Sequence, residues 1–284
     1  MAEVVPVTGV WWDINTCPVP DGYDPGCVRQ SIESALANFM GPSPVIIFCY
    51  GNLEYVPPLV LKAISDSGIL LRHALGWSSL SLELFDWKDT NPSATTVLFI
   101  SGDDQWWYMT SIKTHFSRTL RAFPDLEQPV AYPADFFASL SAKKWVWKDL
   151  LEEKYSGPCY SDTTGQMDCV LNCQFEWWCS MCMFPGENCS DFIDHLKSVN
   201  HRQELFGLVW PWDGNPVDIC ELCDYPYVDD KNMRIHLESE EHAHNVKAAG
   251  PSASHETEAI FVDNSKEYHE ENSKEDHEEE DHPT

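Results

Sequence analysis

The sequence predicts an α/β fold in which helices cover a parallel sheet, followed by two small ββα zinc modules and a disordered acidic tail. Three observations support this prediction. Apolar runs alternate with helical stretches in the first half, two groups of Cys and His with identical spacing follow, and the last residues are nearly all polar. The chain has 284 residues, of which 43% are hydrophobic, so it contains enough apolar side chains for a sizeable core.

The first half of the chain supplies the strands and helices of the predicted sheet. A short apolar run at 10–12 ends on Asp13, and the runs at 44–50 and 95–100 are apolar on both faces. Strands of that kind are typical of a parallel sheet that is covered on both sides. Residues 68–72 read as extended. The predicted helices are 24–39, 57–67, 80–88, 108–116, 134–140 and 144–153.

Two aspartates follow predicted strands, Asp13 after the first and Asp103 after the run at 95–100. Ligands of parallel sheets bind at the carboxyl ends of the strands, where these two carboxylates would converge. Converging carboxylates hold Mg²⁺ or Mn²⁺ for phosphodiester hydrolysis. A strand-end aspartate is as often the cap of the following turn, and the residues alone leave both interpretations open.

The second half contains two sets of metal-ligating residues with the same spacing. Each set has the pattern Cys-x2-Cys-x12-His-x5-His, and four such ligands complete the tetrahedron of a structural zinc site. We therefore predict two bound Zn²⁺ ions. Their ligands are Cys179, Cys182, His195 and His201 in the first finger, and Cys220, Cys223, His236 and His242 in the second.

The charge of the two fingers argues against sequence-specific reading of duplex DNA. The first finger has three acids and one lysine, and the second has seven acids and two bases. DNA phosphates would repel such modules, and the link between them is too long to step along a groove. Contact with RNA or protein remains, and the acidity of the second finger favours protein.

The whole chain carries 18 basic and 46 acidic residues, a formal charge of −28. Residues 252–284 hold 12 acids against two lysines and include a tandem repeat, which predicts a disordered tail that contacts proteins. No apolar run approaches the length of a membrane span. An odd count of 11 cysteines without a secretory signal predicts an intracellular protein, nuclear or cytoplasmic.

Four segments carry a resemblance to a known family: WWDINTCPVPDGYDP at 11–25, YGN at 50–52, DTNPSATTVLFISGDD at 89–104 and ASLSAKKWVWKDLLEE at 138–153. They resemble the NYN domain of the PIN-like nuclease superfamily. The resemblance is to the limkain or meiosis regulator and mRNA stability factor group, of the plant type with zinc fingers behind the domain. It implies a metal-dependent endoribonuclease that uses Mg²⁺ or Mn²⁺ and acts on RNA. Association with peroxisomes follows from the resemblance only.

The resemblance also implies the catalytic residues. Asp13 and Asp103 stand at family acid positions, and Glu83 replaces a helical aspartate of the family. Asp104, next to Asp103, is the fourth candidate catalytic residue. The divalent ion is assigned to Asp13, Glu83 and Asp103. Two family acids are replaced, by Trp77 and by Gln105. The leading hypothesis is therefore an endoribonuclease, and the alternative is a catalytically degenerate domain that binds RNA or protein.

Two further expectations concern organisation and RNA contact. A basic group after Asp103 is either an RNA backbone contact or a solvated helix face; it comprises Lys113, His115, Arg118 and Arg121. The predicted division is an NYN domain at 1–153, a linker at 154–174, finger 1 at 175–206, a linker at 207–216, finger 2 at 217–246 and the tail at 247–284.

Overall fold

Eight strands of the described chain form one sheet. A computed structural model describes residues 6–75, 77–102, 115–124, 141–156, 176–207, 218–227 and 229–249. The strands are β1 (Thr8–Asp13), β2 (Val45–Gly51), β3 (Leu70–His73), β4 (Thr96–Ile100), β5 (Arg118–Phe123), β6 (Lys143–Val146), β7 (Trp177–Cys179) and β8 (Phe184–Gly186). Their order is β6-β5-β4-β1-β2-β3-β7-β8. All neighbours pair in parallel except β7 with β8, so the predicted parallel α/β sheet is confirmed.

Helices connect the strands. They are α1 (Val28–Met40), α2 (Pro58–Asp66), α3 (Trp77–Thr90) and α4 (Trp147–Glu152). Pro58 occupies the first helical position of α2, where its missing N–H costs nothing. Gly41 ends α1 with a positive φ of 85°, a conformation that glycine adopts without strain.

Apolar side chains fill both faces of the sheet. Along β1, Trp12 belongs to the larger buried cluster, whereas Trp11 belongs to the cluster on the opposite face. Trp11 stacks on Phe48 with ring centroids 4.3 Å apart. On the same face, Trp87 lies so close to Gly9 that a side-chain carbon at this position would overlap its ring. This alternation along β1 is the two-residue period of a strand that is buried on both faces.

The two fingers differ in how they join the sheet. Finger 1 consists of the β7–β8 hairpin with α5 (Cys189–Leu196) and α6 (Val199–Gly207). Its β7 pairs with β3, so this hairpin extends the large sheet. Finger 2 consists of β9 (Asp218–Cys220), β10 (Tyr225–Tyr227), α7 (Asp230–Leu237) and α8 (Glu240–Ala249), and its hairpin forms a sheet of its own.

Two local expectations differ from the structure. Residues 118–121 belong to a strand, with Arg121 buried, so the expectation of a solvated helix face is wrong there. Residues 143–146 are also a strand, and the predicted helix begins only at Trp147.

The predicted helix at 134–140, most of that at 108–116 and the acidic tail beyond residue 249 lie outside the described residues. Within the described chain, no helix combines the length and apolar character that crossing a membrane requires.

Candidate functional site: the Asp13 edge and two metal centres

The candidate catalytic edge lies at the carboxyl ends of the central strands. Asp13 is the last residue of β1, between β2 and β4, and it is fully buried. The loops after β1 and β4 are tied together, because the backbone N–H of Gly102 donates to Thr16 Oγ1 over 2.9 Å. The loops after β1 and β2 are tied by the Asn15 side chain, whose Nδ2 donates to the Asn52 carbonyl and whose Oδ1 accepts from the Asn52 backbone N–H. Asp13 therefore occupies a fixed place at the edge where ligands of parallel sheets bind.

Gly51 shows why the turn after β2 has its particular sequence. Its φ is +142°, which side-chain-bearing residues rarely adopt, and a side-chain carbon there would also collide with Asn15. The glycine thus permits the close approach that lets Asn15 and Asn52 pair. The YGN segment is a structural element of the edge.

The Asp13 carboxylate accepts hydrogen bonds on both oxygens. Oδ1 accepts from the backbone N–H of Asn15 at 3.0 Å, the geometry of a turn cap. Oδ2 accepts from Thr16 Oγ1 at 2.7 Å and from Ser101 Oγ at 3.2 Å. Oδ2 also lies 2.7 Å from Nζ of Lys231, a residue of finger 2. The capping and edge interpretations of Asp13 are therefore compatible, because one carboxylate makes both kinds of contact.

Glu83 lies on the same side of the sheet but pairs with a different strand. Its carboxylate accepts a hydrogen bond from Nε of Arg72, and both side chains are buried. Arg72 lies two strands from Asp13 in the same row of the sheet, with Tyr50 between them in register. At the usual strand spacing this separates the two backbones by about 10 Å.

The other residues that the sequence assigns to this edge are not placed by the structure. Asp103 and Asp104 lie outside the described residues, as does Gln105. Trp77 begins α3, and its side chain is not described.

The described carboxylates do not fit a divalent ion in this arrangement. An ammonium group lies on Asp13 and a guanidinium group on Glu83, so each carboxylate already has a cationic partner. Among the described residues, clusters of three or more metal-ligating side chains occur in the two fingers alone. In this arrangement neither carboxylate is open to Mg²⁺ or Mn²⁺.

The first metal centre joins the four predicted ligands of finger 1. The ligand atoms of Cys179, Cys182, His195 and His201 all lie within 4.8 Å of one another. Nδ1 of His201 is 3.1 Å from Cys182 Sγ and 3.7 Å from Cys179 Sγ. In a tetrahedral zinc site, sulfur and nitrogen ligands lie about 3.5 Å apart. The first ligand set thus has the dimensions of a zinc site.

Sequence features of finger 1 explain how the ligands are held. The backbone N–H of His201 is capped by Ser198 Oγ at 3.0 Å, at the break between α5 and α6. Phe184 stacks on His195 with ring centroids 4.0 Å apart. A side-chain carbon on Gly186 would come within 2.8 Å of Phe192, so glycine allows the hairpin to approach α5. Phe184 is therefore the aromatic residue that shields the ligand histidine.

The second metal centre repeats this construction in finger 2. The ligand atoms of Cys220, Cys223, His236 and His242 also lie within 4.8 Å of one another. His242 Nδ1 is 3.4 Å from Cys223 Sγ and 3.7 Å from Cys220 Sγ. Tyr225 stacks on His236 with centroids 4.4 Å apart, as Phe184 does in finger 1. The identical spacing in sequence thus produces the same geometry twice.

The protonation states of the histidine ligands favour metal binding. Burial lowers the pKa of His195 and of His242, and burial followed by the charges of His242 and Arg202 lowers that of His236 to about 4. Neutral imidazole is the form that binds metal. The hydrogen bond from the Cys179 thiol to Cys182 Sγ lowers the pKa of Cys182 and raises that of Cys179, so Cys182 is the thiol of this pair that ionises first. Nε2 of His195 and Nε2 of His236 are buried without a hydrogen-bond partner, which is consistent with nitrogens reserved for a metal ion.

Both metal centres touch the sheet domain directly. The Tyr55 hydroxyl lies 2.9 Å from Nδ1 of His236, so it contacts a ligand histidine on the side opposite Nε2. His73 packs edge-on against His201 with centroids 4.9 Å apart. The backbone N–H of Leu53 donates to His73 Nδ1, and burial lowers the pKa of His73 well below its ordinary value. Such outer contacts orient metal ligands.

Further contacts seat finger 2 on the loops that follow the strands. Tyr225 donates its hydroxyl proton to Glu54 Oε2 over 2.9 Å, and Asn232 Nδ2 donates to the Leu75 carbonyl over 2.6 Å. Burial raises the pKa of Glu54, and the Tyr225 hydroxyl partly offsets that shift. Sequence reasoning missed these residues and Lys231, because the chain carries no local pattern that pairs positions about 160–220 residues apart.

Comparison with protein families finds the NYN domain over residues 7–115. No curated protein matches the chain. The match covers β1 through β4, including Asp13, Gly51 and Glu83, and it stops before β5 and the two fingers. Residues 7–115 of this chain are therefore an NYN domain of the PIN-like superfamily.

Proposed function

We propose that the chain is an endoribonuclease in which the Asp13 edge of the NYN domain cleaves RNA with the help of Mg²⁺ or Mn²⁺. An NYN domain implies a nuclease-like function in RNA metabolism. The observation that carries the proposal is the position of Asp13, a buried carboxylate at the carboxyl end of the central strand, held by loop contacts from β1 and β4. Asp103, Asp104 and Glu83 are proposed to complete the site when Lys231 and Arg72 no longer pair with Asp13 and Glu83.

The experiment that tests this function is cleavage of a labelled single-stranded RNA by the full chain in Mn²⁺. Asp13→Asn should abolish cleavage. Asp24→Asn is the matched control. Asp24 caps a turn by accepting from Gly26 N, as Asp13 caps its own turn, but Asp24 is exposed whereas Asp13 is buried. Equal loss in both variants would point to folding instead of chemistry. Cleavage that survives Asp13→Asn would reject the assignment.

The second candidate function is a degenerate NYN domain that binds RNA or protein without cleaving. The observation that favours it is the Arg72–Glu83 ion pair, which engages one of the assigned carboxylates away from Asp13. Replacement of two family acids by Trp77 and Gln105 points the same way. RNA binding without cleavage at any Mn²⁺ concentration, both in wild type and in Lys231→Met, which removes the ammonium group from Asp13, would identify this function.

We further propose that each finger holds one structural Zn²⁺ ion. We also propose that the chain belongs to the limkain or meiosis regulator and mRNA stability factor group of NYN proteins. The two ligand clusters support the zinc proposal. Metal analysis of the full chain should return two zinc ions. Four zinc-bound thiolates require a reducing compartment, which supports a nuclear or cytoplasmic location. The outer surface of finger 2 and the acidic tail are the proposed contact sites for protein partners.

A further inference from the structure

Finger 2 covers the candidate catalytic edge of the NYN domain. Its contacts reach the loops after three neighbouring strands: Lys231 meets Asp13 after β1, Tyr225 meets Glu54 after β2, and Asn232 meets the Leu75 carbonyl after β3. Tyr225 and Asn232 are almost completely buried. The contacts therefore form a specific interface between finger 2 and this edge.

The charge arrangement in this interface is unusual for finger 2. The finger holds seven acids and two bases between residues 220 and 242. One of these two bases, Lys231, contacts Asp13. The Lys231 side chain is 33% exposed, whereas that of Asp13 is fully buried. A buried carboxylate requires a cationic or hydrogen-bonding partner, and the ammonium group supplies the positive charge.

An ammonium group at this position excludes a metal ion from the same oxygen. Oδ2 of Asp13 already accepts from two hydroxyl groups as well as from Nζ at 2.7 Å. A divalent ion needs open carboxylate oxygens at 2.0–2.6 Å, and the lysine would have to leave before that oxygen could bind one. A substrate phosphate also cannot reach a carboxylate that is fully covered.

The position of Lys231 depends on the folded state of finger 2. Lys231 and Asn232 lie in the first turn of α7, whose N-cap is Asp229. The same helix carries His236, which contacts Tyr55 of the NYN domain. Small zinc modules unfold without their metal. Loss of zinc from finger 2 would therefore withdraw Lys231 from the edge.

We propose that finger 2 is an intramolecular lock on the NYN domain, in which Lys231 holds the place of a divalent cation at Asp13. The lock rests on the proposed function, because it regulates the edge to which catalysis is assigned. In the locked state the chain holds neither Mn²⁺ nor an RNA phosphate at Asp13. The lock opens when finger 2 leaves the edge.

The test compares Mn²⁺ binding by wild-type full chain and by Lys231→Met, measured as the rise in melting temperature with added Mn²⁺. Removal of a charge-assisted contact should lower the Mn²⁺ concentration for half-maximal stabilisation about tenfold. Lys247→Met is the matched control: it removes the same charge from an exposed position of the same finger. Zinc content and circular dichroism establish that each variant is folded. Lys231→Arg should retain the wild-type response, because it keeps the positive charge.

Each outcome decides the proposal. A tenfold gain in Lys231→Met alone supports the lock, whereas an equal response in wild type, Lys231→Met and Lys247→Met overturns it. Absence of any Mn²⁺ response in Lys231→Met also overturns it, since no cation site would then be guarded. RNA cleavage separates the two proposals. A gain in Mn²⁺ binding without cleavage keeps the lock and rejects the nuclease. Cleavage by wild type that falls in Lys231→Met rejects the lock and keeps the nuclease.

Discussion

Replacing Glu83 by glutamine tests whether this residue has a structural role. Its carboxylate pairs with Arg72, whose side chain is completely buried in β3, while that of Glu83 is 10% exposed. The substitution keeps the size and one acceptor oxygen but removes the negative charge. Arg72 would then be a buried cation without its carboxylate partner. Its Nη1 still donates to the Leu71 carbonyl over 3.0 Å, and its guanidinium group still lies over the ring of Phe48.

The expected cost follows from the burial of the pair. Removal of one partner from a buried ion pair costs about 3–5 kcal/mol, because the other charge stays desolvated. Since the glutamine oxygen still accepts from Nε, we expect the lower end, about 3 kcal/mol. For a domain of about 150–250 residues, each kcal/mol shifts the melting temperature by about 2–4 °C, so Glu83→Gln should lower it by about 6–12 °C.

The assay is thermal unfolding of the zinc-loaded full chain followed by circular dichroism, without added Mn²⁺. The matched control is Glu33→Gln, which breaks the Arg29–Glu33 pair at 2.8 Å on the exposed face of α1. An exposed pair of this kind is worth about 0.5 kcal/mol, so the control should lose about 1–2 °C. The double variant Arg72→Met with Glu83→Leu should recover most of the loss, since it removes both buried charges.

The result that would refute this reasoning is a Glu83→Gln melting temperature equal to that of Glu33→Gln. If the same variant also lost its Mn²⁺ response, Glu83 would be a metal ligand and its pairing with Arg72 would contribute little to stability. A large loss of stability with an unchanged Mn²⁺ response would instead assign Glu83 to the fold.

Three further predictions concern the cysteines and the metal centres. Cys179→Ser and Cys220→Ser should each reduce the zinc content from two to one. Cys179→Ser should also destabilise the NYN domain, because Cys179 lies in a strand of the large sheet. Equal melting curves of the two variants would contradict this. Iodoacetamide at pH 8 should modify exposed Cys27 and spare Cys49, because burial and then Asp13 raise the pKa of Cys49 well above its ordinary value; mass spectrometry reads this out. Acidification should release zinc from finger 2, since His236 has a pKa of about 4 in the folded finger and about 6.5 when unfolded. Between those values the unfolded state binds the extra proton, so stability falls as pH falls, and a zinc-release profile that is flat from pH 7 to 5 would contradict it.

The sequence predicts the features that depend on local pattern. The apolar runs at 44–50 and 95–100 become β2 and β4, because strands buried on both faces need apolar side chains at every position. The metal ligands are also predictable, since their spacing fixes a hairpin and a helix. The HLxSxxH segments at 195–201 and 236–242 even repeat the serine caps that restart the helix.

The sequence does not predict strands that carry charged residues, or the pairing of strands that lie far apart along the chain. β5 reads RTLRAF, and its second arginine is buried in the sheet, whereas a pattern argument assigns such a residue to solvent. β7 has three residues and belongs to the predicted hairpin of finger 1, but its pairing with β3 across about a hundred positions of sequence is not predicted. Pairing over that separation is set by tertiary contacts, which no periodicity in a three-residue segment can encode.

Finger 2 shows what an inference from net charge leaves out. Its excess of acids favours a protein surface over nucleic acid, and the protein surface that it contacts in the structure belongs to its own chain. The decisive residue in that contact is one of the two bases, Lys231, which neutralises the buried Asp13 carboxylate. The net charge describes the finger as a whole, whereas the buried Asp13 carboxylate is stabilised by one ammonium group at hydrogen-bond distance. The acids of finger 2 are exposed and repel RNA phosphates. The finger that covers the edge of the NYN domain therefore also disfavours the approach of RNA to that edge.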